Sequence, residues 1–208
     1  MRCVKSDLEI SLMKKAADIS AKAHIRAMQF TKPQLFEYQI EAELIHEFMM
    51  NGAIEPAYLS IVASGINACT LHYIDNNKKM NDGDLLLIDA GCEYESYASD
   101  ITRTFPINGR FNQVQKDLYE LVLASQKAAV EKVKSGNLFT DPHEAALNIL
   151  IDGFIQIGLC KGSFDEVKNN GTYKQFFMHR TSHWLGMDVH LSLIHISEPT
   201  RLLSIAYA

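Results

Sequence analysis

Apolar residues recur with a helical period from the start of the chain, at Leu8, Leu12, Ala16, Ile19, Ala23 and Ala27. Ser6 and Glu9 stand three apart ahead of this stripe, the spacing of a capping box, and Asp7 and Glu9 complement the positive end of a helix. Pro33 closes or resets this element. A second helical face follows at Phe36, Ile40, Leu44, Ile45 and Phe48, with Gly52 placed to end it. The pattern then changes. Residues 60–65 read as a short strand, residues 76–83 as a polar turn, and Leu85 to Ile88 as a continuous apolar run that predicts a buried strand leading into Asp89. A turn at residues 94–96 and a return strand over residues 97–105 follow, and residues 106–109 break that strand.

Residues 114–133 predict a long helix. A further one should start at Asp141, with Asp141 as cap, Pro142 in the first turn and Glu144 completing the cap, and should run to about Ile157 before Gly158. Residues 161–174 read as a polar loop. Helices and antiparallel strands in this order predict an α+β fold.

The chemistry concentrates in two places. Asp89 and Asp100 lie eleven residues apart on strands that a tight turn would bring side by side. Two buried carboxylates would repel and raise each other's pKa, and a divalent cation removes that penalty. The alternative for each aspartate is a turn or cap residue at the surface; the four apolar residues before Asp89 argue against simple exposure. The second cluster is His179, His183 and His190, three histidines within twelve residues, with Gly186 allowing a close approach of the backbone. His72 is a third candidate, and taken alone it reads as structural.

Composition adds exclusions. The net charge of −5 and the pI near 5.9 oppose a nucleic-acid partner. No apolar run is long enough for a membrane span, and the charged, amphipathic start does not read as a signal peptide, so a cytoplasmic protein is expected. Cys3, Cys69, Cys92 and Cys160 are scattered without a paired spacing and read as free thiols. A hydrophobic share of 47% supports a packed core.

These segments together resemble the pita-bread metallopeptidases, and within them the Xaa-Pro aminopeptidases. The resemblance rests on residues 61–65 (IVASG), 71–73 (LHY), 84–94 (DLLLIDAGCEY), 100–106 (DITRTFP) and 179–190 (HRTSHWLGMDVH), in that order. It implies a duplicated α+β fold of which this chain carries an incomplete second half. It also implies two divalent ions, manganese by expectation, held by Asp89, by a bridging Asp100 and by His183. His72, His179 and His190 would serve the substrate, positioning its carbonyl and stabilising the charge that develops on it. The implied activity is release of the residue before proline by a metal-bridging water or hydroxide, on peptides with proline in second position, in a homo-oligomeric intact protein. Prolidase keeps the same ligands and stays open. A non-catalytic peptide-binding module and creatinase-like enzymes usually lose the two aspartates, which are kept here.

The resemblance covers residues 5–190. The family's two glutamate ligands fall after His190, where Leu191 replaces an expected acidic residue and residues 191–201 read like a translated sequencing adapter. The expectation is therefore a C-terminally truncated member: residues 1–190 a partial catalytic domain, residues 191–208 a non-native tail. With three ligands for two ions, the chain should bind metal weakly and be inactive by itself.

Overall fold

The computed structural model describes residues 4–190. Among them, residues 4–111 and 184–190 form one compact unit and residues 112–183 a second. The expected non-native tail, residues 191–208, lies outside the described residues, as does Cys3; Cys69, Cys92 and Cys160 are free thiols.

The first unit begins with α1 (Asp7–Phe30) and α2 (Glu37–Met50). The Ser6–Glu9 capping box forms as expected, with the Ser6 side chain accepting from the Glu9 amide and the Glu9 carboxylate accepting from the Ser6 amide. The buried face of α1 is narrower than the apolar stripe: Ala16, Ile19, Ala23 and Ala27 are inside, whereas Leu8 lies one turn too early and is exposed. Ser20 and His24 occupy the same buried face, and their polar groups are satisfied locally in part, His24 Nδ1 lying 2.9 Å from the Ser20 carbonyl oxygen. On α2, Ile40, Leu44 and Phe48 are buried, and Gly52 adopts a positive φ just past the helix end.

These two helices pack together and cover one face of an antiparallel sheet built from β2 (Ile61–Ser64), β3 (Leu85–Ala90) and β6 (Ile101–Pro106), in the order β2-β3-β6. A second small sheet has the order β1-β4-β5, from β1 (Glu55–Pro56), β4 (Cys92–Tyr94) and β5 (Tyr97–Ala98). The core joins α1 and α2 to Val62, Leu86, Ile88, Ala90 and Cys92. Each large apolar side chain so removed from water contributes about 1.5–3 kcal/mol.

β3 alternates although its sequence does not. Leu86, Ile88 and Ala90 point into the helical core, while Leu85, Leu87 and Asp89 occupy the other face and are half-buried. The single return strand expected over residues 97–105 is instead two strands in two sheets, parted at Ser99 and Asp100. A tight turn with Glu95 and Ser96 both at positive φ joins β4 to β5.

In the second unit α3 (Gln113–Glu131) packs on α4 (Asp141–Gln156), followed by α5 (Phe164–Asn170). Leu147, Leu150, Ile151, Phe154, Cys160 and Val167 form its core. Two expectations are corrected here. The residue that caps α4 is Thr140, whose side chain makes no capping bond; Asp141 is the first helical residue, and its carboxylate accepts instead from the Leu138 amide. The segment 161–174 is not a loop but contains α5 and a 3₁₀ turn over Thr172–Gln175. α5 starts with a capping box between Ser163 and Glu166 and ends at Gly171 in the left-handed region.

Candidate metal and substrate site

Asp89 stands near the end of β3, paired in register with Thr102 on β6 and with Ile61 on β2. Asp100 stands in the break between β5 and β6. The break has an identifiable cause. A Cβ on Gly91 would lie 1.7 Å from the Ser99 carbonyl oxygen, so only glycine lets the two chains cross this closely. The crossing is fastened by a buried hydroxyl pair: Ser20 and Ser99 Oγ atoms are 2.7 Å apart, and the Cys92 amide donates to both, at 2.9 and 3.0 Å. The Ser99 amide in turn donates to the Cys92 carbonyl at 3.0 Å. Asp100 follows directly, so α1 fixes its backbone through Ser20.

The two carboxylates converge. The Tyr58 hydroxyl lies 2.5 Å from Asp89 Oδ1 and 2.9 Å from Asp100 Oδ1. One phenol hydrogen cannot satisfy both at once. Burial, and then the neighbouring Asp100 charge, hold the Asp89 carboxyl above its ordinary pKa, against the hydrogen bonds from Tyr58 and Thr102 that pull it down. Burial and both aspartate charges push the Tyr58 phenol far up, so it remains a donor. Tyr58 escaped the sequence reading: it is 31 residues from Asp89 and 42 from Asp100, and no local motif marks it.

His72 lies in the first unit, exposed at a positive φ of 54° in the loop after β2. His190 lies in the segment 184–190 of the same unit, which is tied to β5 by the Ala98 amide donating to the Gly186 carbonyl at 2.8 Å, two residues from Asp100. His179 and His183 belong to the second unit. There the Thr181 amide lies 3.3 Å from Nδ1 of His143, whose ring stacks on Phe177, so α4 holds the stretch between the two histidines. His179 Nε2 is buried without a hydrogen-bond partner among the described residues.

The converging carboxylates of Asp89 and Asp100 are hard oxygen donors of the kind that fits a divalent cation. Asp89 and Asp100 are brought together. Among the described residues no group of three or more His, Cys, Asp or Glu side chains stands ready to hold one ion.

The sequence profile of the family described as metallopeptidase family M24 matches residues 11–204. The chain belongs to that family. Its members are dinuclear metal-dependent peptidases. The chain is 50% identical over 190 residues to the Xaa-Pro aminopeptidase of Haemophilus influenzae, covering 91% of this chain and 44% of that protein. Among solved structures it superposes on the Pseudomonas aeruginosa aminopeptidase PepP with a TM-score of 0.90 at 53% identity, covering 91% of this chain and 43% of that one. It superposes equally well, at 46% identity, on zinc-substituted Escherichia coli aminopeptidase P in complex with product. The fold is therefore the pita-bread fold of the aminopeptidases P, and the chain spans less than half the length of the relatives it matches. Among the described residues no helix is long and apolar enough to cross a membrane.

Proposed function

We propose that this chain carries part of the site of an Xaa-Pro aminopeptidase, acting in the cytoplasm as a homo-oligomer on peptides with proline in second position. The observation that carries the reading is the convergence of Asp89 and Asp100 on one hydroxyl, in a family of dinuclear metallopeptidases. Asp89, Asp100 and His183 are the ligands this chain would offer, and manganese is the metal that suits such oxygen-rich donors. When bound, the metal pair supplies an activated water and polarises the scissile carbonyl.

The chain's own residues do the rest. Asp100 follows Ser99, whose buried hydroxyl network fixes the backbone, so its carboxylate is held without reorganisation. Tyr58 keeps its proton and hydrogen-bonds the aspartate pair through it. His72, His179 and His190 are the groups that would bind the peptide carbonyl. A proline amide has no N–H, so these donors must read the carbonyl and the shape of the ring. With Asp89, Asp100 and His183 as its ligands, this chain by itself should bind metal weakly and be inactive.

The test is manganese titration by calorimetry on the chain and on its Asp89→Asn variant, with cleavage of Ala-Pro-Ala and Ala-Ala-Ala by the full-length product followed at saturating metal. Heat that disappears in the variant, with cleavage confined to Ala-Pro-Ala, is the expected result. Heat unchanged in the variant removes the metal role from these aspartates, whereas weak or absent heat in both is the outcome of an incomplete ligand set. Cleavage of Ala-Pro but not Ala-Pro-Ala would favour the prolidase reading.

A further inference from the structure

Glu37 is a carboxylate with no solvent exposure at the first turn of α2, and it belongs to none of the sequence motifs that point to the site. Burial on its own would raise its pKa, but donors from Ser64, Lys78, Tyr73 and Asn67 outweigh that and hold it below the usual carboxylate range. Its two oxygens divide the work. Oε1 accepts from the Ser64 amide at 2.8 Å, the Ser64 hydroxyl at 2.7 Å and the Asn67 amide group at 3.1 Å. Oε2 accepts from the Tyr73 hydroxyl at 2.7 Å and the Lys78 amide at 2.9 Å.

These donors bracket one segment. Ser64 ends β2, Asn67 lies in the 3₁₀ turn that follows, Tyr73 is the neighbour of His72, and Lys78 is where the chain returns to α2, its carbonyl accepting from the Glu37 amide at 3.0 Å. The intervening residues 70–78 have no regular structure, and Leu71, His72 and Ile74 are exposed. His72 itself sits at a positive φ, a conformation that costs a non-glycine residue about 1 kcal/mol or more and is kept only where the surroundings impose it. Apolar packing does not impose it here; hydrogen bonds do, those to Glu37 beside His72 and those of the buried Asn76 to Ser60, Val62 and Glu41 further along.

We infer that Glu37 is the positioning residue for His72, holding the loop of residues 65–78 by both ends so that the imidazole is presented in one place. The inference rests on the substrate role proposed for His72. Glu37→Gln separates the two halves of the clamp. An amide has one acceptor oxygen, so whichever way it sits, its NH₂ group faces donors where the carboxylate accepted. The Ser64 and Asn67 donors belong to a strand end and a 3₁₀ turn, so the Tyr73 and Lys78 side is the one released.

The experiment is hydrogen exchange by mass spectrometry on the full chain, with Tyr73→Phe as a milder second variant. In Glu37→Gln, amides of residues 70–78 should exchange about tenfold faster while β2, β3 and β6 keep their protection. Tyr73→Phe should give a smaller increase confined to the same segment, and in both variants the His72 ring signals should move toward those of an unstructured histidine. Unchanged exchange at 70–78 in Glu37→Gln, or an increase spread equally over the strands, overturns the inference. His72→Ala judges the substrate role separately. If it leaves Xaa-Pro cleavage by the full-length product unchanged while Glu37→Gln still releases the segment, the clamp stands and the role given to His72 falls.

Discussion

The Tyr58 hydroxyl lies 2.5 Å from Asp89, and the same oxygen lies 2.9 Å from Asp100. One neutral donor therefore stands between two like charges that burial has drawn together. Because the folded-state pKa of Asp89 is raised, its ionisation opposes folding, and that cost is present at neutral pH. Asp89→Asn keeps an acceptor oxygen for Tyr58 and removes one charge. Without added metal it should be more stable than the parent, read as a higher urea midpoint. A lower midpoint would mean that the pair does not repel.

Tyr58→Phe should act in the opposite direction. It leaves both carboxylates without their shared donor in a half-buried place, and a lost hydrogen bond to a charged group costs about 1.5–3 kcal/mol. Urea unfolding without metal should show that loss. Millimolar manganese should restore part of it, since a cation supplies the positive charge that the phenol dipole only approximates. Equal loss with and without manganese would separate Tyr58 from the metal role.

The crossing at Gly91 allows no side chain. Gly91→Ala places a Cβ 1.7 Å from the Ser99 carbonyl oxygen, a backbone atom that cannot swing aside. The strands must part there, and the Ser20–Ser99–Cys92 network must open with them. A loss of about 3 kcal/mol or more is expected from such overpacking, measured by urea unfolding. A variant within about 1 kcal/mol of the parent would show that the crossing is plastic.

How much of this was legible in the sequence varied with how local the cause is. The Ser6–Glu9 box, the α1 and α2 faces and β3 are set by residues within a few positions of one another, and they appear where the periodicity puts them. The Asp89–Asp100 pairing was also legible, because a tight turn brings nearby strands together. The split of the return strand was not, since its cause is the contact of Gly91 with Ser99 on the facing segment. Tyr58 and Glu37 were missed for the same reason: their partners are tens of residues away. α5 was missed for a different reason. Its Ser163–Glu166 box is written in the sequence, but a seven-residue helix with only Phe164 and Val167 as apolar positions is too short to show a period.

That short helix should depend on its cap. The Ser163 hydroxyl bonds the Glu166 carboxylate, and the Glu166 carboxylate bonds the Ser163 amide at 2.7 Å. Ser163→Ala should cost about 1 kcal/mol, appearing mainly as faster amide exchange in residues 163–170 with α4 unaffected. A uniform rise across α4 and α5 would show that the two helices unfold together.

The buried histidine on α1 gives the fold a pH dependence of known sign. His24 has its pKa lowered, first by burial and also by the charge of Arg103, while the Ser20 carbonyl pulls in the other direction. The unfolded chain therefore takes up a proton at about pH 6.5 while the folded chain stays neutral to lower pH. Stability that is fully present above about pH 6.5 is lost as the pH falls from there through the folded-state pKa, by about 1 kcal/mol per unit of separation. His143 on α4, lowered chiefly by burial, adds a loss of the same sign in its own unit. His24→Gln removes the titration at α1. Urea midpoints of this variant measured from pH 7.5 to pH 5 should fall less steeply than those of the parent, and parallel slopes would place the acid sensitivity elsewhere.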